Sequence, residues 1–461
     1  MKNLPLLIGS LLFSTLFYDQ NIGLNLSLFS LLTILVLANY NRKAFKQKSV
    51  LAYTFIYLIT ATSIFLFQSS LAIIANCIAF LTLIGHVSER GSSIYVNWLN
   101  GIYTTIAGYF HKILNKPKTE ENTQHKKDID YLHLVKIIGI PLMIVLVFIG
   151  FYSNGNPLFH DFISKINFDF INLKWILFSA LGYFLLINIS TPIKVNPATE
   201  NDLKIGNFLK NKKNISEENL KKENQLALIL MVMLNTLIIL FLITDIVYLV
   251  EIKDLNAAEL SNQVHSGIYA LIASIIMAII IILYFFRGDL NFYKCNQTLK
   301  NLTYVWITLN LILVFSIVVK NYQYISSFGF TYKRIGVFVY LLLTLVGLLT
   351  TAKKVYNVKN LWYLFRVNSQ IAFAILIISC AFNWDALITK YNLNYAATAD
   401  FDYLVNLSNN NSFILKTYGD GIYSKGQSKY LADKKLKEYT SSLNERNWQE
   451  WSFDNLKIKS K

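Results

Sequence analysis

Charged side chains are scarce in this 461-residue chain. Only 15% of the residues are Asp, Glu, Lys or Arg, whereas hydrophobic residues make up 54% and the mean hydropathy is +0.41. Soluble domains carry about 25% charged residues, so the composition excludes an ordinary soluble protein. The deficit is concentrated in long apolar runs, which indicates that lipid is the solvent for most of the chain.

Cysteine and the common catalytic motifs are also rare or absent. The three cysteines, Cys77, Cys295 and Cys380, are far apart in the sequence, so we expect no disulfide and no metal site. The six histidines form no HExxH sequence and no close cluster with Cys or carboxylates. No phosphate-binding loop, dinucleotide fingerprint or GxSxG sequence occurs. We therefore identify no catalytic residue and expect no metal and no cofactor.

What the sequence has instead is a series of apolar runs near the length of a membrane-crossing helix, about 17–25 residues. No small-residue cleavage site follows the first run, so we expect it to remain as a membrane helix. Because only helices satisfy the backbone over such spans, we predict an all-α bundle of about eleven transmembrane helices. The predicted spans are residues 4–19, 23–40, 50–67, 70–87, 137–153, 174–190, 225–249, 266–286, 302–319, 335–351 and 369–388.

Lysine and arginine are unevenly distributed among the loops between these spans. One alternate set of loops holds 25 of them and the other set holds 5. Since positive loops stay in the cytoplasm, we predict a bacterial inner-membrane protein with its N-terminus inside and its C-terminus outside. The bias accounts for the formal charge of +16 without a nucleic-acid partner, and membrane lipids are the expected partners. The predicted inside loops are 41–49, 88–136, 191–224, 287–301 and 352–368, and the outside loops are 20–22, 68–69, 154–173, 250–265 and 320–334.

The spans divide the chain into two membrane segments, residues 1–91 with four spans and residues 137–388 with seven. Residues 92–136 between them contain a cytoplasmic loop and an amphipathic stretch, 92–114, with apolar residues about every four positions. A spanning helix there would reverse the side of every later loop. We therefore favour a helix in the cytoplasmic interface, with a spanning or re-entrant helix as the alternative.

Residues 389–461 form a polar tail that is predicted to lie outside the membrane. Its sequence favours a short helix at 400–408, which begins with an Asp N-cap, and an amphipathic helix at 427–444. Some 70 residues with few aliphatic side chains make a marginal core. We expect the tail to be α-helical, to pack on the membrane segments and to be available to another envelope protein.

Ionisable residues near the outside ends of three spans form the first candidate site. Asp245 lies in span seven, Arg334 begins span ten and Asp385 closes span eleven. Charges within a membrane cost roughly 2.5–3.5 kcal/mol at a helix centre and usually pair or face a cavity. We therefore predict an outer-leaflet cluster of these three residues. It would serve as a proton, ion or anion site, as a clamp between helices, or as side chains that snorkel to water.

Two weaker sets of polar residues complete the candidates. Asn235 in span seven and Asn310 in span nine lie deeper, and Trp306 shares a helical face with Asn310. Hydrogen bonds between helices are the ordinary role of such groups, and a polar pathway is the alternative. A second set could form a charge network at the inner face or anchor helix ends at lipid headgroups. Its members are Arg287, Asp289 and Arg366.

Several motifs recur in a pattern that resembles a known family. They are Asp245-Ile-Val-Tyr-Leu249, Arg287-Gly-Asp-Leu-Asn291, Gly329-Phe-Thr-Tyr-Lys-Arg-Ile-Gly-Val337, Asn383-Trp-Asp385 and Asp402-Tyr-Leu404. Over residues 225–410 the chain resembles bacterial polytopic membrane proteins, common in Bacteroidota, that are catalogued as a domain of unknown function. The N-terminal half resembles them in hydropathy alone. The resemblance implies an envelope protein and no particular activity, and Arg287, Arg334 and Asp385 fall within its motifs.

Three classes of function remain open at this point. The favoured one is a non-enzymatic envelope protein that senses or scaffolds through its external tail. The second is a secondary transporter or channel with the outer-leaflet charges in its pathway, although paired repeats and interrupted helices are not evident. The third is a membrane-embedded lipid-processing enzyme, for which Asp19, Asp245 or Asp385 would supply the carboxylate.

Overall fold

The computed structural model describes residues 3–114, 131–164, 172–211, 216–251, 257–397, 399–419 and 427–459. These residues are almost entirely helical and include no β-strand. The helices are α1 (Leu4–Phe17), α2 (Leu24–Tyr40), α3 (Lys48–Phe67), α4 (Ser70–Ser88), α5 (Ile94–Leu114), α6 (Tyr131–Gly155), α7 (Pro157–Ser164), α8 (Leu173–Ser190), α9 (Asn196–Lys204), α10 (Glu217–Glu251), α11 (Ala257–Phe285), α12 (Gln297–Phe328), α13 (Tyr332–Tyr356), α14 (Leu361–Cys380), α15 (Trp384–Tyr395), α16 (Phe401–Asn406), α17 (Ser412–Gly419), α18 (Gln427–Glu445) and α19 (Phe453–Lys459).

Seven of the helices found in the described residues are long and apolar enough to cross a membrane, namely α3, α4, α8, α10, α12, α13 and α14. Helices α1 and α2 and the second part of α11 are apolar but shorter. Large apolar side chains on these helices point outward, such as Leu35, Phe55 and Phe315, each more than 60% exposed. Such a surface indicates lipid rather than water around it, so the described residues form an all-helical fold suited to a membrane.

The membrane helices pack as two groups, each around its own apolar core. The first group contains α1 to α5, α8 and α14, and the second contains α10 to α13. Helices α13 and α14 pack against each other and join the groups. Each core is built of Leu, Ile, Val and aromatic side chains, so association within a group depends on close packing of complementary surfaces.

Helix α5 packs against α4 and α8 with its polar face turned to the protein. Asn97, Asn100 and Thr104 are buried, whereas Ile106 and Phe110 are 65% and 57% exposed. Two glycines make the approach to α4 close. A Cβ atom on Gly85 would lie 1.8 Å from the carbonyl oxygen of Asn97, and one on Gly101 would lie 2.2 Å from that of Leu81.

The predicted end of span eleven is wrong by several residues. Helix α14 ends at Cys380, and α15 begins at Trp384 instead of continuing the membrane helix. The side-chain oxygen of Asn383 accepts a hydrogen bond from the amide of Ala386, 3.0 Å away, and so caps a new helix. Asp385 therefore lies in the first turn of α15.

The described residues from 384 onward form one C-terminal tail, in which α15 is included. Buried Ile388, Leu404 and Leu415 make its small core, against which Phe330 and Ile335 of the second helix group pack. The Asp400 side chain accepts a hydrogen bond from the amide of Tyr403 (2.9 Å) and caps α16, as its sequence indicates. The tail core is thus completed by the membrane helices.

Candidate functional site

The tail is attached to the second helix group at the turn between α12 and α13. The amide of Phe330 donates to Oδ1 of Asn392 (2.5 Å), and Nδ2 of Asn392 donates to the carbonyl oxygen of Phe330 (2.9 Å). Gly329 has a φ of +74°, and a Cβ there would lie 2.4 Å from the Asn392 side chain. Glycine is therefore required for both the turn and the contact.

The same tail is attached to the first helix group by two charged side chains. Nη1 of Arg446 donates to Oε1 of Gln68, the residue that follows α3, at 2.7 Å. Oε1 of Glu450 accepts from both the amide and Nδ2 of Asn21 in the turn between α1 and α2, at 2.7 and 3.0 Å. The contacts of the tail therefore connect turns from both groups of helices.

Backbone contacts make the attachment to the first group close. The amide of Leu24 donates to the carbonyl oxygen of Trp451 at 2.9 Å. A Cβ atom on the preceding residue, Gly23, would lie 2.2 Å from the carbonyl oxygen of Glu450. Any larger side chain at position 23 would force the tail and the turn apart.

Asp385, in the first turn of α15, is covered by the rest of the tail and is only 3% exposed. One carboxylate oxygen accepts from the hydroxyl of Tyr332 at 2.7 Å, and the other accepts from the hydroxyl of Ser408. The Ser408 carbonyl is in turn one of the acceptors of Lys435 (3.1 Å). Asp385 thus joins the second helix group to two parts of the tail.

Lys435 is a buried lysine that the apolar pattern of α18 does not reveal. Its ammonium donates to the carbonyl oxygens of Val405 and Leu407 and to Oδ1 of Asn411, each at 2.8 Å. Burial lowers the pKa of Lys435 to about 8, against the opposing effect of the Asp385 charge. The side chain therefore holds the end of α16 with a charge that the fold disfavours.

A cavity of about 410 Å³ opens beside Asp385, between the tail and the ends of α3, α4 and α14. Hydroxyl and amide side chains make up much of its wall, and Phe382 and Trp384 supply aromatic surface. It has the mixed polar and apolar lining of a small-molecule site.

Asp245 contacts Lys320, whereas the sequence predicted Arg334 and Asp385 as its partners. Its carboxylate accepts from the ammonium of Lys320 and from the hydroxyl of Ser316, both on α12, at 2.5 Å for the hydroxyl. Asp245 is 6% exposed and Lys320 is 7% exposed. A predicted span boundary at residue 319 placed Lys320 in a loop, but residues 297–328 contain no Gly or Pro and form one helix.

Arg334 lies in a third set of contacts. Its Nη1 donates to the carbonyl oxygens of Phe328 (2.8 Å) and Gly329 (2.5 Å), and its guanidinium lies 3.9 Å from the ring centroid of Tyr324. It thus caps the C-terminal end of α12. Within the described structure no ion pair joins Arg334 to Asp245 or to Asp385, so the three predicted cluster residues occupy separate contacts.

Asn235 and Asn310, the two deeper amides, make different kinds of hydrogen bond. Nδ2 of Asn235 donates to the carbonyl of Leu302 on the neighbouring α12 (3.1 Å) as well as to Met231 in its own helix. Nδ2 of Asn310 donates within its own helix, to the carbonyl oxygen of Trp306 at 2.8 Å. Asn235 therefore links α10 to α12 by a hydrogen bond, which is the ordinary role predicted for it. The bond of Asn310 stays within α12.

At the other end of the helices, Arg366 binds a carboxylate that the sequence did not single out. Its Nη2 lies 3.0 Å from Oδ1 of Asp202, and Nη1 donates to Oδ1 of Asn207 at 2.7 Å. Burial by itself would raise the pKa of Asp202, but hydrogen bonds from the Ser93 amide and from Arg366 and Tyr95 hold it below its usual range. Asp202, Ser93 and Arg366 belong to three predicted inside loops.

Arg287, another inner-face candidate, makes a different contact. Arg287 lies 3.6 Å from the carboxylate of Glu223 and stacks 3.9 Å from the ring centroid of Tyr284. Asp289 begins a short 3-10 turn that follows α11. The two predicted inner arginines thus pair with different carboxylates, Arg366 with Asp202 and Arg287 with Glu223. A search for carboxylates within the inside loops would have found both.

Comparison with known proteins identifies the family and nothing closer. The family described as "Domain of unknown function (DUF4153)" matches residues 49–416, from α3 to α17. The match extends well beyond residues 225–410, to which the motifs confined the resemblance, and includes most of the N-terminal half. No curated protein and no solved structure is significantly similar to the chain. Because most of its residues match, the chain belongs to this family, whose function is unknown.

Proposed function

We propose that the protein is a multi-pass bacterial inner-membrane protein that senses or scaffolds in the envelope through its C-terminal tail. The observation that carries the proposal is that one tail is bonded to the turns of both helix groups. The two groups have separate cores, and α13 and α14 join them. A ligand or partner that displaces the tail therefore changes how the two helix groups are held together. The docked and displaced positions of the tail would be the two states that a sensor requires.

The contacts between loops support the proposed topology of about eleven spans with the C-terminus outside. The tail bonds to turns at Asn21, Gln68 and Phe330, all in predicted outside loops. Arg366 and Asp202, by contrast, connect predicted inside loops. The exposed apolar face of α5 supports contact between this helix and lipid, and we propose that it lies in the cytoplasmic interface.

Gly23→Ala provides a direct test of the role of the tail. The added Cβ collides with the Glu450 carbonyl, so it should release the tail from the first helix group while the membrane cores stay intact. Gly336→Ala is the matched control, because nothing lies within 4 Å of a Cβ at that position. The readout is complementation of a gene deletion under an envelope condition in which the deletion reduces growth, with tail release measured by limited proteolysis.

The sensor function predicts that Gly23→Ala fails to complement and that its tail becomes sensitive to protease, while Gly336→Ala behaves as wild type. Full complementation by a variant whose tail is demonstrably released would overturn the proposal. Expression of both variants in the membrane is measured in parallel, so that loss of the protein is not mistaken for loss of function.

A second candidate function, a transporter or channel, is favoured by the buried Asp245–Lys320 pair. Ionisable groups within membrane helices often form part of an ion or proton pathway. If the pair carries transport, Asp245→Asn should abolish ion or proton flux in proteoliposomes, whereas Gly23→Ala should not. The same two variants thus separate the two functions, because the sensor predicts the opposite ranking in the complementation assay.

A further inference from the structure

The cavity under the tail has an unusual charge balance. Asp385 is the charged side chain among the described residues that line it, and neither lysine nor arginine contributes to this lining. Phosphate and carboxylate ligands are generally held by Arg, Lys or helix N-termini. The buried carboxylate of Asp385 would repel such groups, so the cavity is not suited to an anion.

Two side chains of the cavity wall are available for hydrogen bonds. Ser70 and Asn406 are both exposed and line the cavity, and neither side chain has a hydrogen-bond partner among the residues that the structure describes. Other polar groups of the wall already have partners, as when Nδ2 of Asn410 donates to Ser408. A hydroxyl and a primary amide, which both donate and accept, match a ligand that carries several hydroxyl groups.

Aromatic rings form another part of the wall. The ring centroids of Phe382 and Trp384 lie 5.8 Å apart with their planes tilted by 56°. Nε1 of Trp384 donates to the carbonyl oxygen of Ser379 at 2.8 Å, which fixes the orientation of the indole. Rigid aromatic surface beside amides and hydroxyls suits a molecule with polar edges and apolar faces, as sugar rings have.

We propose that this cavity binds a neutral saccharide of one or two rings, either free in the envelope or as the headgroup of a glycolipid. Asn406 and Ser70 bind ligand hydroxyls, and Trp384 packs on a sugar face. The volume of about 410 Å³ lies within the range of roughly 300–1,000 Å³ for small-molecule sites. The proposal rests on the sensor function, because it names the ligand that the tail detects. Binding itself requires only that the tail be docked on the membrane helices.

The test uses the full chain in phosphatidylcholine nanodiscs. In the first arm, maltose is titrated and its binding is followed by saturation-transfer NMR. In the second arm, the nanodiscs also contain either a neutral glycosyl diacylglycerol or anionic phosphatidylglycerol, and displacement of maltose is measured in each case. Asn406→Ala is compared with Asn409→Ala, an exposed neighbour that does not line the cavity.

Maltose binding that Asn406→Ala weakens about three- to tenfold, the loss expected for one hydrogen bond, with Asn409→Ala unchanged, supports the proposal. Displacement by the glycolipid then assigns a lipid-linked source, and its failure assigns a free saccharide. Absence of binding in both arms, equal binding by the two variants, or displacement by anionic phosphatidylglycerol instead overturns it.

A second pair of variants guards against effects of folding. Trp384→Ala removes aromatic surface from the cavity, whereas Trp448→Ala removes an exposed tryptophan of the tail that lies elsewhere. Only the first should lose binding, and protease resistance of the tail should be retained in any variant that is scored. A negative binding result leaves the Gly23→Ala experiment unaffected, so failure of the saccharide proposal and failure of the sensor function are distinguishable.

Discussion

The ammonium of Lys320 is in direct contact with the carboxylate of Asp245, and both groups are buried between α10 and α12. Removing one member leaves a buried charge uncompensated, which typically costs about 3–5 kcal/mol. We expect Asp245→Asn and Lys320→Met each to lower the thermal stability of the detergent-purified protein markedly. The double variant should recover much of that loss.

The double-mutant cycle decides whether the contact exists in solution. Asn310→Ala provides a control on the same helix, since the amide donates only within α12 among the bonds that the structure shows. If the effects of Asp245→Asn and Lys320→Met simply add, the two groups do not interact, because residues in contact show coupling of about 0.5–3 kcal/mol.

Asp245 and Asp385 should behave as independent sites, although the sequence suggested one cluster. Among the described residues they share no hydrogen-bond partner, since Asp245 binds α12 while Asp385 binds Tyr332 and Ser408. We expect the destabilisation of the Asp245→Asn/Asp385→Asn variant to equal the sum of the single effects within about 0.5 kcal/mol. A larger coupling between the two substitutions, measured by thermal unfolding, would mean that Asp245 and Asp385 belong to one outer-leaflet cluster, as the sequence predicted.

Hydropathy predicted the helical membrane fold because apolar runs of this length have few other stable forms in lipid. It could not place helix ends within polar sequence. Lys320 was assigned to a loop because the apolar run stops before it, yet the helix continues to Phe328 and buries that residue against Asp245. Conversely, α14 ends at Cys380 because Asn383 caps a new helix, which hydropathy does not detect.

Partners distant in sequence were beyond prediction for a related reason. Arg366 and Asp202 are 164 positions apart and meet only when α9 and α14 assemble with the first helix group. Lys435 is surrounded by carbonyl oxygens, and carbonyls carry no sequence signal. The amphipathic pattern of α18 was visible, but it could not show that a lysine would be buried within it.

Arg366 should be far less tolerant of lysine than Arg287. The Arg366 guanidinium bonds to Asp202, Ile205 and Asn207 at once, and its fork geometry cannot be reproduced by a single ammonium. We expect Arg366→Lys to lower the free energy of unfolding by about 1–3 kcal/mol, the cost of buried groups left without partners. Arg287→Lys is the matched control, because this half-exposed pair contributes at most about 1 kcal/mol. Equal effects in thermal unfolding would show that the Asp202 contact is not structural.

Lys435 should give the tail a measurable dependence on pH. Burial lowers its folded-state pKa to about 8, whereas the unfolded chain has the ordinary value of 10.5. Below pH 8 both states carry the proton, so stability does not change with pH through this group. Between about pH 8 and 10.5 the unfolded state binds more protons than the folded state, and stability therefore rises with pH.

The measurement is the difference in melting temperature between wild type and Lys435→Met, which cancels the titration of all other groups. At pH 7 the variant lacks the hydrogen bonds to Val405, Leu407 and Asn411, which lowers its stability. It also lacks the buried charge, which raises its stability, so the two effects oppose each other. From pH 7.5 to 9.5 the difference should move in favour of wild type, because only wild type can release the proton. A difference that is constant, or that moves in favour of the variant, would mean that the site does not lower the pKa of the Lys435 ammonium.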